Sequence, residues 1–323
     1  MVSSKKLLVG MLAAVVLLGL IALVFYLDRE ELSEGRAASA ANKTEEKELA
    51  QGSGPSRIVS LTPTITETLF ALGAGERVVG VTRFCNYPSE AATRTKVGGL
   101  IDINIEAVVA LTPDLVIAEG QQAVVSRLRD LGLDVLTVKC ATMADLLTAV
   151  GEIGARVGLQ AEAEALVTVI RRRTGEVIEA LKEVTRPRVL LVVGRHPLVV
   201  AGRGTFMDEL IGLAGGTNVM GDSERQYPIA SMETVLLRRP EVIVECSGSM
   251  TGEDATEEAR HAWSRWPSLP AVSTGRVYVS HSDALLRPGP RVPQALDELV
   301  GFFHPSAARD LGRAPSGAQR TDG

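Results

Sequence analysis

The pattern of apolar and polar positions changes character along the chain. Residues 7–27, LLVGMLAAVVLLGLIALVFYL, contain no charged side chain. At 1.5 Å per residue that run is long enough to cross a bilayer. Lys5 and Lys6 precede it and Asp28-Arg29-Glu30-Glu31 follow, so the N-terminus is expected to stay cytoplasmic and the body to be exported. Two readings stand for this segment: an uncleaved membrane anchor, or a signal peptide removed after Ala40, leaving a soluble periplasmic protein. The length of the run and the distance from Leu27 to Ala38-Ser39-Ala40 favour the anchor. Residues 28–56 are polar and rich in Ala, Glu, Lys, Gly and Ser, the composition of a flexible tether, and 306–323 read as a disordered tail for the same reason.

Between these ends, short runs of β-branched residues alternate with helix-period segments, and the alternation occurs twice. RIVSL at 57–61 and RVLLVV at 188–193 open two parallel series. LFALGAGERVVG (69–80) has a counterpart in LIGLAGGTNVMG (210–221), each read as a helix ended by Gly with a strand after it. EAVVALTPDLVIAE (106–119) has a counterpart in ETVLLRRPEVIVE (233–245), with Pro113 and Pro240 each seven residues after the opening glutamate. Each phrase predicts a short helix, a break at the proline and a buried strand. A further helix (about 121–131 and 255–266) and strand (134–138 and 276–280) complete each half. The resulting β-α-β-α-β-α-β order predicts a mainly parallel sheet covered by helices on both faces.

Residues 142–157 and 160–184 predict helices between the halves. The second has no proline and would span roughly 37 Å. One long helix is a stiff connector between two similar lobes and leaves a cleft between them, beyond the carboxyl ends of the strands. The expected organisation is an N-terminal membrane segment (1–27), a tether (28–56), an N-terminal lobe (57–141), linking helices (142–186), a C-terminal lobe (187–305) and a tail (306–323).

Composition narrows the chemistry. A net charge of −5 with no basic block in the body argues against nucleic acid as a partner. The four histidines, at 196, 261, 281 and 304, are scattered, and no C-x-x-C occurs, so no metal site is expected. Cys85, Cys140 and Cys246 adjoin apolar segments and read as buried, inert thiols; their odd number leaves at least one unpaired within the chain. No dinucleotide fingerprint, P-loop or nucleophile elbow is present, and no nucleophile stands out with its base. A catalytic role is not expected, and neither is a cofactor.

RIVSLTPTITETLFALGAG, VVGVTRFCNYPSEA, KVGG and LIDINIEAVVALTPDLVIA resemble the periplasmic substrate-binding proteins of ABC importers for cobalamin and iron–siderophores, with the cobalamin branch the nearest. The resemblance covers about residues 56–303. It implies an α/β fold of two Rossmann-like lobes with mainly parallel sheets joined by one long rigid helix, the class III, helical-backbone type. It implies a solute binder at the periplasmic face of the inner membrane that delivers a corrinoid to a permease dimer with its ATPase subunits. A ferric siderophore, less readily haem, is the alternative ligand. A membrane-anchored sensor or interaction module is the alternative role. Carried over by position, the cleft residues are Phe84, Tyr87, Leu100, His196, Pro197, Tyr227, Asp283 and Arg287. Leu100 stands where the family's best-known member has Trp, and Asp283 and Arg287 could also pair with each other. Glu106 and Glu233, the first letters of the repeated phrase, take the positions of the two glutamates that dock the transporter, although each could equally serve only its own helix start.

Overall fold

A computed structural model describes residues 54–246 and 255–312. The expected membrane segment at 7–27, most of the expected tether and the end of the expected tail lie outside the described residues. No helix among the described residues is long and apolar enough to cross a membrane.

The N-terminal lobe contains β1 (Ile58–Ser60), α1 (Pro63–Ala71), β2 (Val78–Val81), α2 (Ser89–Ala92), β3 (Thr95–Lys96), α3 (Ile105–Ala110), β4 (Leu115–Glu119), α4 (Gln122–Asp130) and β5 (Val135–Val138). Its five strands are all parallel in the order β3-β2-β1-β4-β5. Both faces are covered, and successive residues of one strand serve different cores. Ile58, Leu115 and Ile117 pack into one apolar cluster, and Val59, Val116 and Ala118 into another beneath α3 and α4. Continuous apolar runs are what a parallel sheet buried on both faces requires.

Two helices link the lobes: α5 (Met143–Val157) and α6 (Gln160–Ala180). Thr142 and Asp145 close a capping box at the start of α5, and Gly158, at φ 74°, ends it. The two helices meet at Gly154, where a Cβ would stand 2.3 Å from the Cβ of Ala163; only glycine permits that approach. At 21 residues α6 is about 31 Å long. The expected helix to 184 is therefore shortened. Beyond Ala180 the chain turns, with Val184 N–H donating to the Leu181 carbonyl at 3.3 Å, and Leu181 is buried in the core.

The C-terminal lobe contains β6 (Arg188–Gly194), β7 (Val199–Val200), α7 (Phe206–Leu213), β8 (Thr217–Asn218), α8 (Met232–Arg238), β9 (Val242–Cys246), α9 (Ala255–Trp263), α10 (Pro270–Ser273), β10 (Val277–Ser280), α11 (Val292–Phe303) and α12 (Pro305–Asp310). Its sheet runs β10-β9-β6-β7 with β8 also beside β6, and β7 alone is antiparallel. That short hairpin strand has no forerunner in the sequence pattern, being only two residues long. The tail also begins later than composition suggests: α12 occupies the first part of 306–323, and its Ala308 is fully buried.

The repeated phrase has a structural half. Thr112 and Arg239, each preceding the proline, adopt left-handed φ values of 43° and 46°. Proline disfavours the right-handed helical region for its predecessor, and the first strand of each lobe supports the unusual conformation. Arg57 Nε donates to the Thr112 carbonyl at 3.2 Å, and Arg188 Nε to the Arg239 carbonyl at 3.1 Å. The acid after each proline accepts the backbone N–H of the same arginine: Asp114 from Arg57 at 2.9 Å and Glu241 from Arg188 at 2.8 Å.

All three cysteines are buried and free. Burial pushes the Cys140 and Cys246 thiols above their usual range, so both are protonated at neutral pH. On α11, burial pushes the Glu298 carboxyl up to about 7, and the Ser280 hydroxyl donating to it at 3.0 Å opposes the shift. A raised folded-state pKa contributes stability below the unfolded value of 4.5 that is lost as pH rises through about 7. Glu298→Gln should therefore gain thermal stability over the wild type between pH 5 and pH 8; a melting-temperature difference that stays flat across that range would contradict the burial of a neutral acid.

Candidate functional site

Each candidate ligand residue lies in the connection that leaves the carboxyl end of a strand, Asp283 at the start of a short 3-10 helix and the others in loops. Phe84 and Tyr87 follow β2, Leu100 follows β3, His196 and Pro197 follow β6, Tyr227 follows β8, and Asp283 and Arg287 follow β10. Ligands of open parallel sheets bind at those ends. Phe84, Tyr87, Leu100 and Tyr227 are exposed despite their size, and His196 and Pro197 are exposed with them. Partial burial raises the pKa of the Tyr227 phenol, so it stays a neutral hydroxyl at physiological pH.

Two polar residues that sequence reasoning missed fix the N-lobe loops. Arg83 lies 5.7 Å from the centroid of the Phe84 ring and pairs with Asp102. That hydrogen bond holds the Asp102 carboxyl below its usual range. Gln121, in a left-handed conformation at the start of α4, donates to the Leu100 carbonyl at 2.9 Å. The Phe84 and Leu100 loops are thus tied through side chains.

Asp283 and Arg287 do pair with each other, and they also reach the other lobe. Arg287 donates to the Phe84 carbonyl at 3.2 Å and to Asn86 Oδ1 at 3.1 Å, while Asn86 Nδ2 donates to Asp283 at 2.7 Å. Below them Glu67 of α1, only 4% exposed, accepts two hydrogen bonds from Arg291 at 2.8 and 2.6 Å and has Arg287 at 3.8 Å. Thr64 adds a bond to the Pro288 carbonyl at 2.7 Å. The loop after β10 is therefore bonded to the loop carrying Phe84 and to the helix beneath it. Glu67 left a trace in the sequence: it is an acid within the apolar segment ITETLF.

Tyr87 is placed apart from the other candidates. Arg291 stacks 4.1 Å from its ring centroid, and Tyr87 lines a cavity of about 720 Å³ with Phe70, Leu166 and Ile170. None of the other candidate ligand residues lines that cavity. Among the described residues no group of His, Cys, Asp and Glu is arranged to hold a metal ion.

Glu106 and Glu233 occupy the second positions of α3 and α8. They do not cap these helices. Asn104 Oδ1 accepts from Ala107 N–H at 2.9 Å, and Ser231 Oγ accepts from Thr234 N–H at 3.1 Å. Both glutamates are exposed, and neither forms a hydrogen bond or ion pair among the described residues.

Two mainly parallel-sheet lobes on a helical spine, with exposed apolar side chains in loops at the carboxyl ends of their strands, define a two-lobe solute-binding protein of the helical-backbone class. Residues 58–284 match the periplasmic binding protein family, and the chain belongs to it. Membership places the body outside the cytoplasmic membrane. A vitamin B12-binding protein of Vibrio cholerae is 30% identical over 256 residues, covering 76% of this chain and 88% of that protein. An ABC transporter substrate-binding lipoprotein of Bacillus subtilis, of uncharacterised function, is 30% identical over 79% of this chain and 82% of its own length. The crystal structure of the periplasmic vitamin B12-binding protein of Vibrio cholerae superposes with a TM-score of 0.69 at 27% identity, covering 77% of this chain and 96% of that one. A periplasmic heme-binding protein of Pseudomonas aeruginosa superposes equally well, at 0.69 and 29% identity over 78% of this chain and 94% of its own.

Removing one partner from a buried charged cluster leaves the other charge unpaired, at a cost of about 3–5 kcal/mol. Glu67→Ala should lower the unfolding free energy by about that amount. A loss of less than about 1 kcal/mol in denaturant titration would show that the guanidinium groups are adequately served by solvent.

Proposed function

We propose that this protein captures a corrinoid of the cobalamin class in the crevice between its lobes and hands it to an ABC importer. One observation carries the reading: Phe84 and Leu100 on one lobe and Tyr227 on the other are exposed, large and apolar at the carboxyl ends of the two sheets. A corrin is a broad, largely apolar ring system, and flat or branched side chains on either side give it buried area. The similarity to vitamin B12-binding proteins supports the same ligand class. His196 and Pro197 sit at the rim. Asp283 and Arg287 act mainly by holding the loops, because their polar groups are already engaged, and Tyr87 faces the separate cavity under Arg291. The role is binding and delivery, with no chemistry performed on the solute.

Haem is the second reading, favoured by the exposure of His196 in the same set of loops. Incubating the purified body with cyanocobalamin, ferric siderophores or haem, followed by desalting, distinguishes them by retained colour. Cobalamin retention is expected, and Phe84→Ala and Tyr227→Ala should each weaken it by roughly 0.5–1.5 kcal/mol beyond the area lost. Retention of haem or a siderophore alone would overturn the corrinoid assignment.

The partner in this reading is a permease dimer with ATPase subunits. A two-fold partner offers two equivalent basic pockets, and Glu106 and Glu233 present two equivalent unpaired acids. We further assign residues 7–27 as an anchor holding the body at the membrane. The intact mass of the protein isolated from membranes tests this: a chain beginning at Ala41 would show cleavage instead.

A further inference from the structure

Among the described residues, six of the large apolar side chains that remain exposed fall in two short segments, 100–109 and 227–237. The segments are equivalent in the two lobes. Leu100 and Tyr227 each lie six residues before a docking glutamate. An exposed isoleucine follows in each, Ile101 at 95% and Ile229 at 65% of full accessibility. Beyond the glutamates come Val109 on α3 and Leu237 on α8, the latter 82% exposed. Val109 is three residues after Glu106 and Leu237 four after Glu233, so each shares a helix face with its glutamate.

Concentrated exposed apolar surface marks a contact surface. Its duplication on pseudo-equivalent segments selects a two-fold partner, and its closeness along the chain to two unpaired acids, on the same helix face for Val109 and Leu237, selects a partner with basic groups. We propose that Ile101 and Val109 on one lobe, with Ile229 and Leu237 on the other, form an apolar collar that seals each docking glutamate against an apolar surface surrounding a basic side chain of the permease dimer. Excluding water around an ion pair strengthens it, and apolar contact of this kind carries much of the energy at the centre of an interface. Because Leu100 and Tyr227 stand at the cleft end of the same segments, the collar continues to the ligand crevice. A docked collar would thus screen the solute from bulk water during transfer. The inference rests on the docking role of Glu106 and Glu233.

The test uses the full chain with the reconstituted permease–ATPase complex. Two paired variants are compared with wild type: Ile101→Ser with Ile229→Ser, and Val109→Ser with Leu237→Ser. Each pair should raise the concentration needed for half-maximal ATPase stimulation at least tenfold while leaving cyanocobalamin affinity of the free protein unchanged. Glu106→Lys with Glu233→Lys is the separate arm for the docking role and should abolish stimulation. If charge reversal abolishes stimulation and both serine pairs behave as wild type, the collar is overturned and the docking role stands. Normal stimulation by all three variants would overturn both. A serine pair that alters only self-association, read by sedimentation, would assign the surface to a second copy of this chain and also overturn the proposal.

Discussion

One apolar core holds the arrangement together, because it does not stop at the boundary between the lobes. Ile65 and Leu69 from the first lobe, Ile153 and Val177 from the linking helices, and Leu191, Leu210 and Leu296 from the second belong to a single buried cluster. Close-packed interiors deform little. Changing the angle between the lobes means shearing that cluster. The separation between Phe84 and Tyr227 is therefore a property of the core as well as of the loops that carry them.

The charged cluster around Glu67 adds orientation to this apolar cohesion. Burying a carboxylate with two guanidinium groups incurs a desolvation penalty that its mutual attraction only roughly offsets. Its contribution is geometric. Arg291 and Glu67 form a two-bond fork, and Arg287 reaches the backbone of the Phe84 loop from the opposite lobe. Paired hydrogen bonds add a fixed register to that packing. These bonds hold the loop that carries Phe84 against the second lobe.

The doubled phrase has two distinct parts. Its later letters are architectural: a left-handed residue, a proline and an acid fasten the helix-to-strand corner onto the arginine that opens each sheet. Its first letter is free of that work, since Asn104 and Ser231 cap the helices. A residue kept in register by its neighbours but bonded to none of them is available to a partner.

The sequence by itself determined the two parallel-sheet lobes, because alternating buried strands and amphipathic helices are local patterns, and repetition at two places identifies the unit. The family resemblance named Phe84, Leu100 and Tyr227 as cleft residues, and the structure put them in the loops after β2, β3 and β8. The sequence did not determine where the long helix ends, since Leu181 leaves it in response to packing, nor the hairpin strand at Val199–Val200, too short to show a period. Only the tertiary structure decided that Asp283 and Arg287 bond to Asn86 and the Phe84 loop, and that Arg291 covers the face of Tyr87. Those partners lie about two hundred positions apart, as with Asn86 and Asp283. Hydrogen bonds depend on side-chain placement to within a few tenths of an ångström, which follows from how two sheets and a spine pack together and not from the spacing of residues along a chain.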